Sequence, residues 1–318
     1  MDSGAGPPAG GTPIPPRPFN RLVAAAWPGI RVNRLTPLTE RYTLPTMAFV
    51  STSETRPNGD TRPPPIGIFS PSLFPPFHIA LEEHLRQSVR APDHHDFFLC
   101  SRNGPSVIVG RNQDALAEVS PQARQTGVNV YRRTSGGGAV YHDEGNLNWS
   151  WIVAGGLPDR ERLLSTILRI LRDLGIDAQS GPRSGLYVDG RKIGGTAAAA
   201  GNGVLLFHGT LLISTDLDQL QSSLAAHTPT YAIHDAATRK GVPSVPSRQL
   251  TTLAHLHPGL DVTTLQTSLF TAIVQDGVPR PPGHVADLDV VTALADEYSR
   301  NSWIFHRQPP TRTLRGTS

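Results

Sequence analysis

The sequence predicts an α+β domain, a mixed sheet with helices packed on it. Three observations lead there. Alternating or continuous apolar runs bounded by Gly, Pro and Asn recur between residues 66 and 214 and read as strands. Stretches with apolar residues three and four apart lie between and after them and read as helices. A hydrophobic fraction of 38% in 318 residues supports a real core, and no internal repeat points to a solenoid or propeller.

The elements follow in order. The body begins near Ile66. In PFHIALEEHLRQSV, Phe77, Ala80, Leu81, Leu85 and Val89 fall at helical spacing. DFFLCSR and SVIVGR read as a strand pair across Asn103-Gly104-Pro105. Asp114 to Gln125 reads as one helix, and VNVYRR and LNWSWIV as strands. From Arg160 to Leu174, Leu163, Ile167, Ile170, Leu171 and Leu174 form an inward stripe, with Gly175 as the stop. LYVDGRKIGGT reads as a hairpin turning at Asp189-Gly190, a type I′ signal. VLLFHGTLLIS is a strand opened by His208-Gly209-Thr210, and helices follow near Leu217–Leu224, Val262–Val274 and Ala286–Tyr298.

Charge and composition narrow the function. The net charge is +3, and residues 1–64 carry all of it, with seven arginines against four acids. The remaining body is formally neutral, which argues against nucleic-acid binding. No apolar run reaches the length needed to span a bilayer. The one cysteine, Cys100, excludes an intramolecular disulfide and a cysteine-based metal cluster; in FFLC it reads as a buried strand residue rather than a nucleophile. The Pro- and Gly-rich start cannot sustain a helix. Residues 1–64 therefore read as a disordered leader ahead of a single domain at 65–318. The segment RPFNRLVAAAWPGIRVNRLTPLTERY is Arg-rich, acid-poor and partly amphipathic, as a mitochondrial transit peptide is. A plain disordered tail is the alternative, with Met47 as an internal start.

Two motifs carry chemistry. In RRTSGGGAVYHDEGN, residues 132–146, three glycines remove Cβ atoms and let backbone N–H groups approach a ligand beside Arg132 and Arg133. No GK[ST] follows, so this is not a Walker A loop. His142 and Asp143 make a poor metal site by themselves. The second motif is GRKIGGTAAAA, residues 190–200. Only two of 29 basic residues are lysines, Lys192 and Lys240. Lys192 is a compact cation followed by small residues from Gly194 to Ala197, which suits an extended apolar ligand ending in a carboxylate or phosphate. HGTLL at 208–212 and the loop KGVPSVPSR at 240–248 are weaker signals alone.

Together these motifs resemble lipoate–protein ligases and lipoyltransferases of the biotin/lipoyl ligase superfamily. The signature Arg-Arg-x-Ser-Gly-Gly-Gly-Ala-Val-aromatic-His-Asp-x-Gly-Asn is matched throughout at 132–146. GRNQ at 110–113, the lysine strand, HGTLL, KGVPSVPSR and SRNSWIF at 299–305 match further, over about residues 66 to 308. The resemblance implies the catalytic-domain fold of that superfamily. It assigns nucleotide contacts to Arg133, Gly138, Ala139, Val140, Tyr141 and Lys192. It assigns the acyl group to Arg133, Gly137, Gly138, Lys192, Gly194, Thr196, His208 and Gly209. Lys192 is the implied catalytic residue, touching both acyl carbonyl and phosphate, and no metal ligand is assigned. His142, Asp143 and Asn146 read as residues that tie the loop down.

The implied substrate is lipoate or lipoyl-AMP, with ATP and Mg2+ if the chain is a full ligase. The implied partners are lipoyl domains of 2-oxoacid dehydrogenase acyltransferase subunits and the glycine cleavage H protein. The expected location is the mitochondrial matrix, or the cytoplasm if the leader is not a presequence. Three departures stand out. His78 occupies a position where the family usually has Asn. Arg183-Ser184-Gly185 replaces Arg-Asn-Asp, so an acid is missing. The sequence given ends soon after Trp303, so the C-terminal accessory domain of classical ligases is expected to be absent. The last two favour a transferase over an autonomous ATP-dependent ligase. A complete ligase, a non-catalytic acyl-nucleotide or lipoyl-domain binding protein, and biotin ligation remain as alternatives.

Overall fold

A computed structural model describes residues 63–89, 95–225, 249–274 and 277–310. Most of the Arg-rich leader, and the KGVPSVPSR loop with Lys240, lie outside these residues. The strands are β1 (Ile66–Ser70), β2 (Phe97–Ser101), β3 (Ser106–Val109), β4 (Asn129–Arg132), β5 (Val140–His142), β6 (Asn146–Ala154), β7 (Gln179–Gly181), β8 (Gly185–Val188), β9 (Arg191–Gly201) and β10 (Val204–Leu212). The helices are α1 (Pro75–Ser88), α2 (Ala115–Glu118), α3 (Pro121–Thr126), α4 (Asp159–Asp173), α5 (Leu217–Ser223), α6 (Leu253–Leu256), α7 (Val262–Ile273), α8 (Leu288–Tyr298) and α9 (Asn301–Ile304). The α+β expectation holds.

The strands form a seven-stranded mixed sheet, β1-β2-β6-β10-β9-β8-β7, and a three-stranded sheet, β4-β3-β5. This corrects the expected hairpin of β2 with β3. All five residues of β2 are buried, and both its edges are taken, by β1 in parallel and by β6 antiparallel. No edge is left for β3, which pairs with β4 and β5 instead. The chain crosses between the sheets at Asn103 and Gly104, whose amide donates to the Leu73 carbonyl at 2.8 Å.

The expected helix from Asp114 to Gln125 is two helices. Val119 is extended, and Pro121 starts α3 under a Ser120 cap that accepts from the Ala123 amide. Proline has no N–H to continue a helix but is well placed in a first turn. The other helices lie within a few residues of expectation. At the β8–β9 turn, Asp189 and Gly190 both have positive φ, as a type I′ turn requires. His208-Gly209-Thr210 does not open its strand but sits within β10.

The large sheet is covered on both faces, and the pleat decides what each face sees. On β6, Leu147, Trp149, Trp151 and Val153 join Phe207, Leu163, Ile167, Leu265 and Phe270 in a core under α4 and α7. On the opposite face Ile152 and Leu206 pack in a second core with α1, α8 and the small sheet. On this second face, the middle of the strands is polar. Asn148 and Ser150 of β6 lie beside Thr210 and His208 of β10. That polar strip, roofed by α1 and the small sheet, is the floor of a cavity.

Candidate active site

The cavity holds about 530 Å³, within the range of small-molecule sites. Its floor comes from β6, β10 and Gly195, Thr196 and Ala197 of β9. α1 contributes His78, Ile79 and Glu82, and the glycine loop and β5 contribute Gly137, Gly138, Ala139, Val140 and His142. Lys192 and Arg133 also line it. The sequence therefore brings together residues from positions 75 to 210.

Lys192 is held from both sides. Its backbone pairs with Tyr187 in the hairpin, its amide donates to the Gln249 carbonyl at 2.9 Å, and its carbonyl accepts from the Thr251 amide at 3.1 Å. A Cβ on Gly195 would lie 4.0 Å from Lys192 Cε, so the small residue leaves room for the stem. Thr196 Oγ1 donates to the Ser184 carbonyl at 3.1 Å, which puts the Pro182–Ser184 turn at the rim of the cavity.

The two arginines do different work. Arg132 is fully buried and donates to the carbonyls of Gly110, Arg111, Gln113, Trp303 and Ile304 at 2.5–3.1 Å. Trp303 Nε1 returns a bond to the Arg132 carbonyl at 2.8 Å. Arg132 is thus a structural clamp. Arg133 donates to Ser135 Oγ and to the carbonyls of Ile108, Gly136 and Gly138. Burial lowers both guanidinium groups to about 10, which leaves them charged at neutral pH. Because carbonyl and amide point oppositely across a trans peptide, Arg133 turns the Gly137 and Ala139 amides away from itself. Gly137 has φ +92°, and Gly110 lies so close that a Cβ on it would meet the Gly137 carbonyl oxygen at 2.1 Å. The glycines fold the loop onto its own arginine.

Two polar chains run through the site. In the first, Ser150 donates to Glu82 Oε1 at 2.5 Å and His208 Nδ1 lies 3.0 Å from the same oxygen. His208 Nε2 is 2.7 Å from Ser135 Oγ. Burial alone would raise the Glu82 carboxyl, but His208 and the bonds from His208 and Ser150 hold it below its ordinary value. Ser135, His208 and Glu82 have the order of a hydroxyl–imidazole–carboxylate triad. Ser135 is 0% exposed, does not line the cavity and already accepts from Arg133. The row therefore anchors the glycine loop to α1 and β10 rather than presenting a nucleophile.

In the second chain, Ser70 Oγ is 2.8 Å from His78 Nε2, His78 Nδ1 is 2.8 Å from Asn103 Oδ1, and Asn103 Nδ2 is 2.8 Å from His142 Nδ1. Burial drives His78 down to about 4 and His142 to about 3, so both rings are neutral at pH 7.

The expected site residues mostly converge. Arg133, Gly137, Gly138, Ala139, Val140, Lys192, Thr196, His208 and Gly209 line the cavity. Tyr141 packs in the core, and a Cβ on Gly194 would meet the Thr210 carbonyl oxygen at 2.0 Å; neither lines the cavity. Asp143 does tie the loop down, accepting from the Gly145 and Asp216 amides. Asn146 donates to Asn148. Sequence reading missed Glu82, Asn103, Asn148 and Ser150. Their signal was present as polar residues on the inward side of a helix and strands whose neighbours there are apolar. Cys100 is buried, and burial raises its thiol, as expected of an inert strand residue. Among the described residues no three His, Cys, Asp or Glu converge as metal ligands. No described helix is long and apolar enough to cross a membrane.

One cavity thus joins a lysine, an arginine-held glycine loop and mixed polar and apolar walls. Residues 75–274 match the family model described as the lipoyl protein ligase A/B catalytic domain. The chain is 30% identical over 241 residues to lipoate–protein ligase 1 of Staphylococcus aureus, covering 74% of this chain and 71% of that one. The archaeal bipartite lipoate–protein ligase of Thermoplasma acidophilum, solved in a study that included its E2 lipoyl domain, shares the fold at TM-score 0.63 and 22% identity, over 79% of this chain and 99% of that chain. A lipoate–protein ligase A solved with ATP is similar at TM-score 0.61 and 23% identity, over 77% and 99%. The chain belongs to the lipoyl protein ligase A/B catalytic-domain family, a family of enzymes of protein lipoylation.

Proposed function

We propose that the chain moves a lipoyl or octanoyl group from its acyl-adenylate to the Nε of a lysine on a lipoyl domain, with transfer faster than activation of free acid by ATP. The observation that carries this reading is Lys192, pinned in β9 next to small residues and lining the same cavity as the glycine loop. The acceptor amine attacks the acyl carbon of the mixed anhydride. The C–N bond forms, the C–O bond to phosphate breaks, AMP leaves, and the amine loses its proton to solvent. The Lys192 ammonium offsets negative charge on the carbonyl oxygen and then on the departing phosphate. The rigid glycine loop holds the nucleotide side of the ligand. Acceptance of a lipoyl domain is supported by the Thermoplasma ligase having been studied with one.

The preference for transfer rests on the cavity rim. Ser184 and Gly185 stand where the resemblance leads one to expect an acid, and the Ser184 carbonyl is bonded to Thr196 of the cavity. A rim without that acid is a poorer partner for a metal-bound triphosphate. The second reading, a complete ligase, is favoured by the ATP-bound structure of a relative. Two assays separate them: lipoylation of an apo lipoyl domain from synthetic lipoyl-AMP, and pyrophosphate release from lipoate and Mg-ATP. Fast transfer with slow pyrophosphate release is expected. Equally rapid ATP-dependent lipoylation would establish the complete ligase.

A further inference from the structure

Beside Lys192, the large sheet carries an aromatic ring that the transfer mechanism does not use. The β8–β9 register shifts between Leu186 and Tyr187: Gly194 faces Leu186, but Lys192, not Ile193, faces Tyr187. Leu186, Val188 and Ile193 are buried in the core with α4 and α7. Side chains alternate along a strand, and partners directly opposite each other share a face. Tyr187 therefore points to the face of the cavity, next to Lys192.

The ring lies back along its own strand against two glycines. A Cβ on Gly185 would meet Tyr187 Cε2 at 2.6 Å and Oη at 2.9 Å, and a Cβ on Gly181 would meet Cδ2 at 2.7 Å. Gly185 thus has no room for a side chain: the ring fills the space where an acid was expected. The Lys192 stem runs the same way, since a Cβ on Gly195 would lie 4.0 Å from its Cε. Gly185 and Gly195 are register partners. Both side chains start from one pair and reach the next, so ring and stem lie side by side on strands about 5 Å apart. Tyr187 Oη donates to the Pro182 carbonyl at 3.5 Å, which steadies the tip of the ring.

The ring is half-buried, and a depression of about 440 Å³ opens against it, bordered by Gln179, Gly181 and Pro182. Asp177 and Asp189 also border it, the latter 3.9 Å from Arg191. Acids there do not suit a phosphate, whereas an uncharged flat group can cover the ring while the phosphate stays at Lys192. We propose that Tyr187 is a platform for the base of the acyl-adenylate, which stacks on the ring face turned away from the glycines. This rests on the acyl-adenylate reading above and deepens it: the nucleotide is held by stacking beside Lys192, in addition to the glycine loop. Every base has a flat π-face, so the platform selects for the presence of a base rather than for its identity, and its loss costs about 10-fold in affinity.

The test is calorimetric titration of the full chain with two ligands that are not hydrolysed: lipoyl sulfamoyl-adenosine, and the same lipoyl sulfamate on ribose without a base. Tyr187→Leu should bind the adenosine compound about 10-fold more weakly and the ribose compound as wild type does. Tyr187→Phe should keep both affinities. A ring that only fills space over the glycines would lower both ligands together; that result, or no loss in Tyr187→Leu, would overturn the proposal. A second measurement does not depend on the leucine variant folding. In protein with isotope-labelled tyrosine rings, adenine H2 or H8 should show nuclear Overhauser contacts to one tyrosine whose signals vanish in Tyr187→Phe. Contacts only to a tyrosine that persists in that variant, or no contacts at all, would count equally against the platform. Failure of wild type to bind either compound would instead overturn the acyl-adenylate reading, and the platform with it.

Discussion

At the scale of single residues, Lys192 was legible because the chain uses so few lysines, and the structure seats it in the cavity. Lys192→Ala should lower transfer from lipoyl-AMP by about 100-fold or more, the usual cost of losing a charge-stabilising donor, with circular dichroism unchanged. Lys192→Arg should fail as well, because a planar fork does not replace a point charge among small residues. Turnover near wild type in the alanine variant would remove Lys192 from the mechanism. The chain from His78 to His142 was not legible, because its bonds join residues 25 and 39 positions apart. It has a consequence for pH. Free histidine titrates near 6.5, whereas His78 is lowered to about 4 and His142 to about 3 by burial. Between those values the unfolded chain binds more protons than the folded one. Their contribution to stability is therefore complete above pH 6.5 and is lost as pH falls, by roughly 1 kcal/mol per pH unit for each ring. Burial lowers His84 too, which acts in the same direction. Glu82 has a folded value below 4.5 and does not enter until lower pH. Urea unfolding at pH 7.5 and pH 5 should show a loss of several kcal/mol. A flat profile would mean that the rings take up protons inside the fold.

At the scale of elements, periodicity placed most strands and helices, and the Asp189-Gly190 turn was readable from its dipeptide alone. The partner of β2 was not. Sequence proximity suggested β3, but pairing depends on which edges are open, and both edges of β2 are filled by strands remote from β3. The glycine loop was located by its composition, whereas its shape depends on Gly110, a residue more than twenty positions earlier. Gly110→Ala would drive a Cβ into the Gly137 carbonyl and towards Arg133 Nη2, neither of which has room to retreat while Arg133 holds the loop. Displacing a binding loop by about 1 Å can cost about 100-fold in rate. Transfer by Gly110→Ala should fall by that order while secondary structure is retained. Normal kinetics in this variant would show that the loop tolerates displacement and does not position the ligand.

At the scale of the whole molecule, the cavity exists because two sheets face each other, and Arg132 helps fix their relation to the last helix. One guanidinium reaches the loop at Gly110 to Gln113 and the carbonyls of Trp303 and Ile304. Composition and spacing did not separate Arg132 from Arg133, since both precede the same glycines; only the family resemblance gave the ligand to Arg133 and left Arg132 without a role. A lysine cannot serve five carbonyls from one fork, and hydrogen bonds to charged groups contribute about 1.5–3 kcal/mol each. Arg132→Lys should therefore lose about 3 kcal/mol or more in urea unfolding; a loss below about 1 kcal/mol would show that the clamp is dispensable. The same clamp bears on how the enzyme is made. Ile304 lies 172 residues after Arg132, and at about 5–20 residues per second a ribosome needs roughly 10–30 s to travel between them. During that time the small sheet is complete in sequence, but Arg132 has no C-terminal carbonyls to bind and Trp303 has not been added. A nascent chain released before Trp303 would contain every residue lining the cavity and still lack the piece that locks its walls in place.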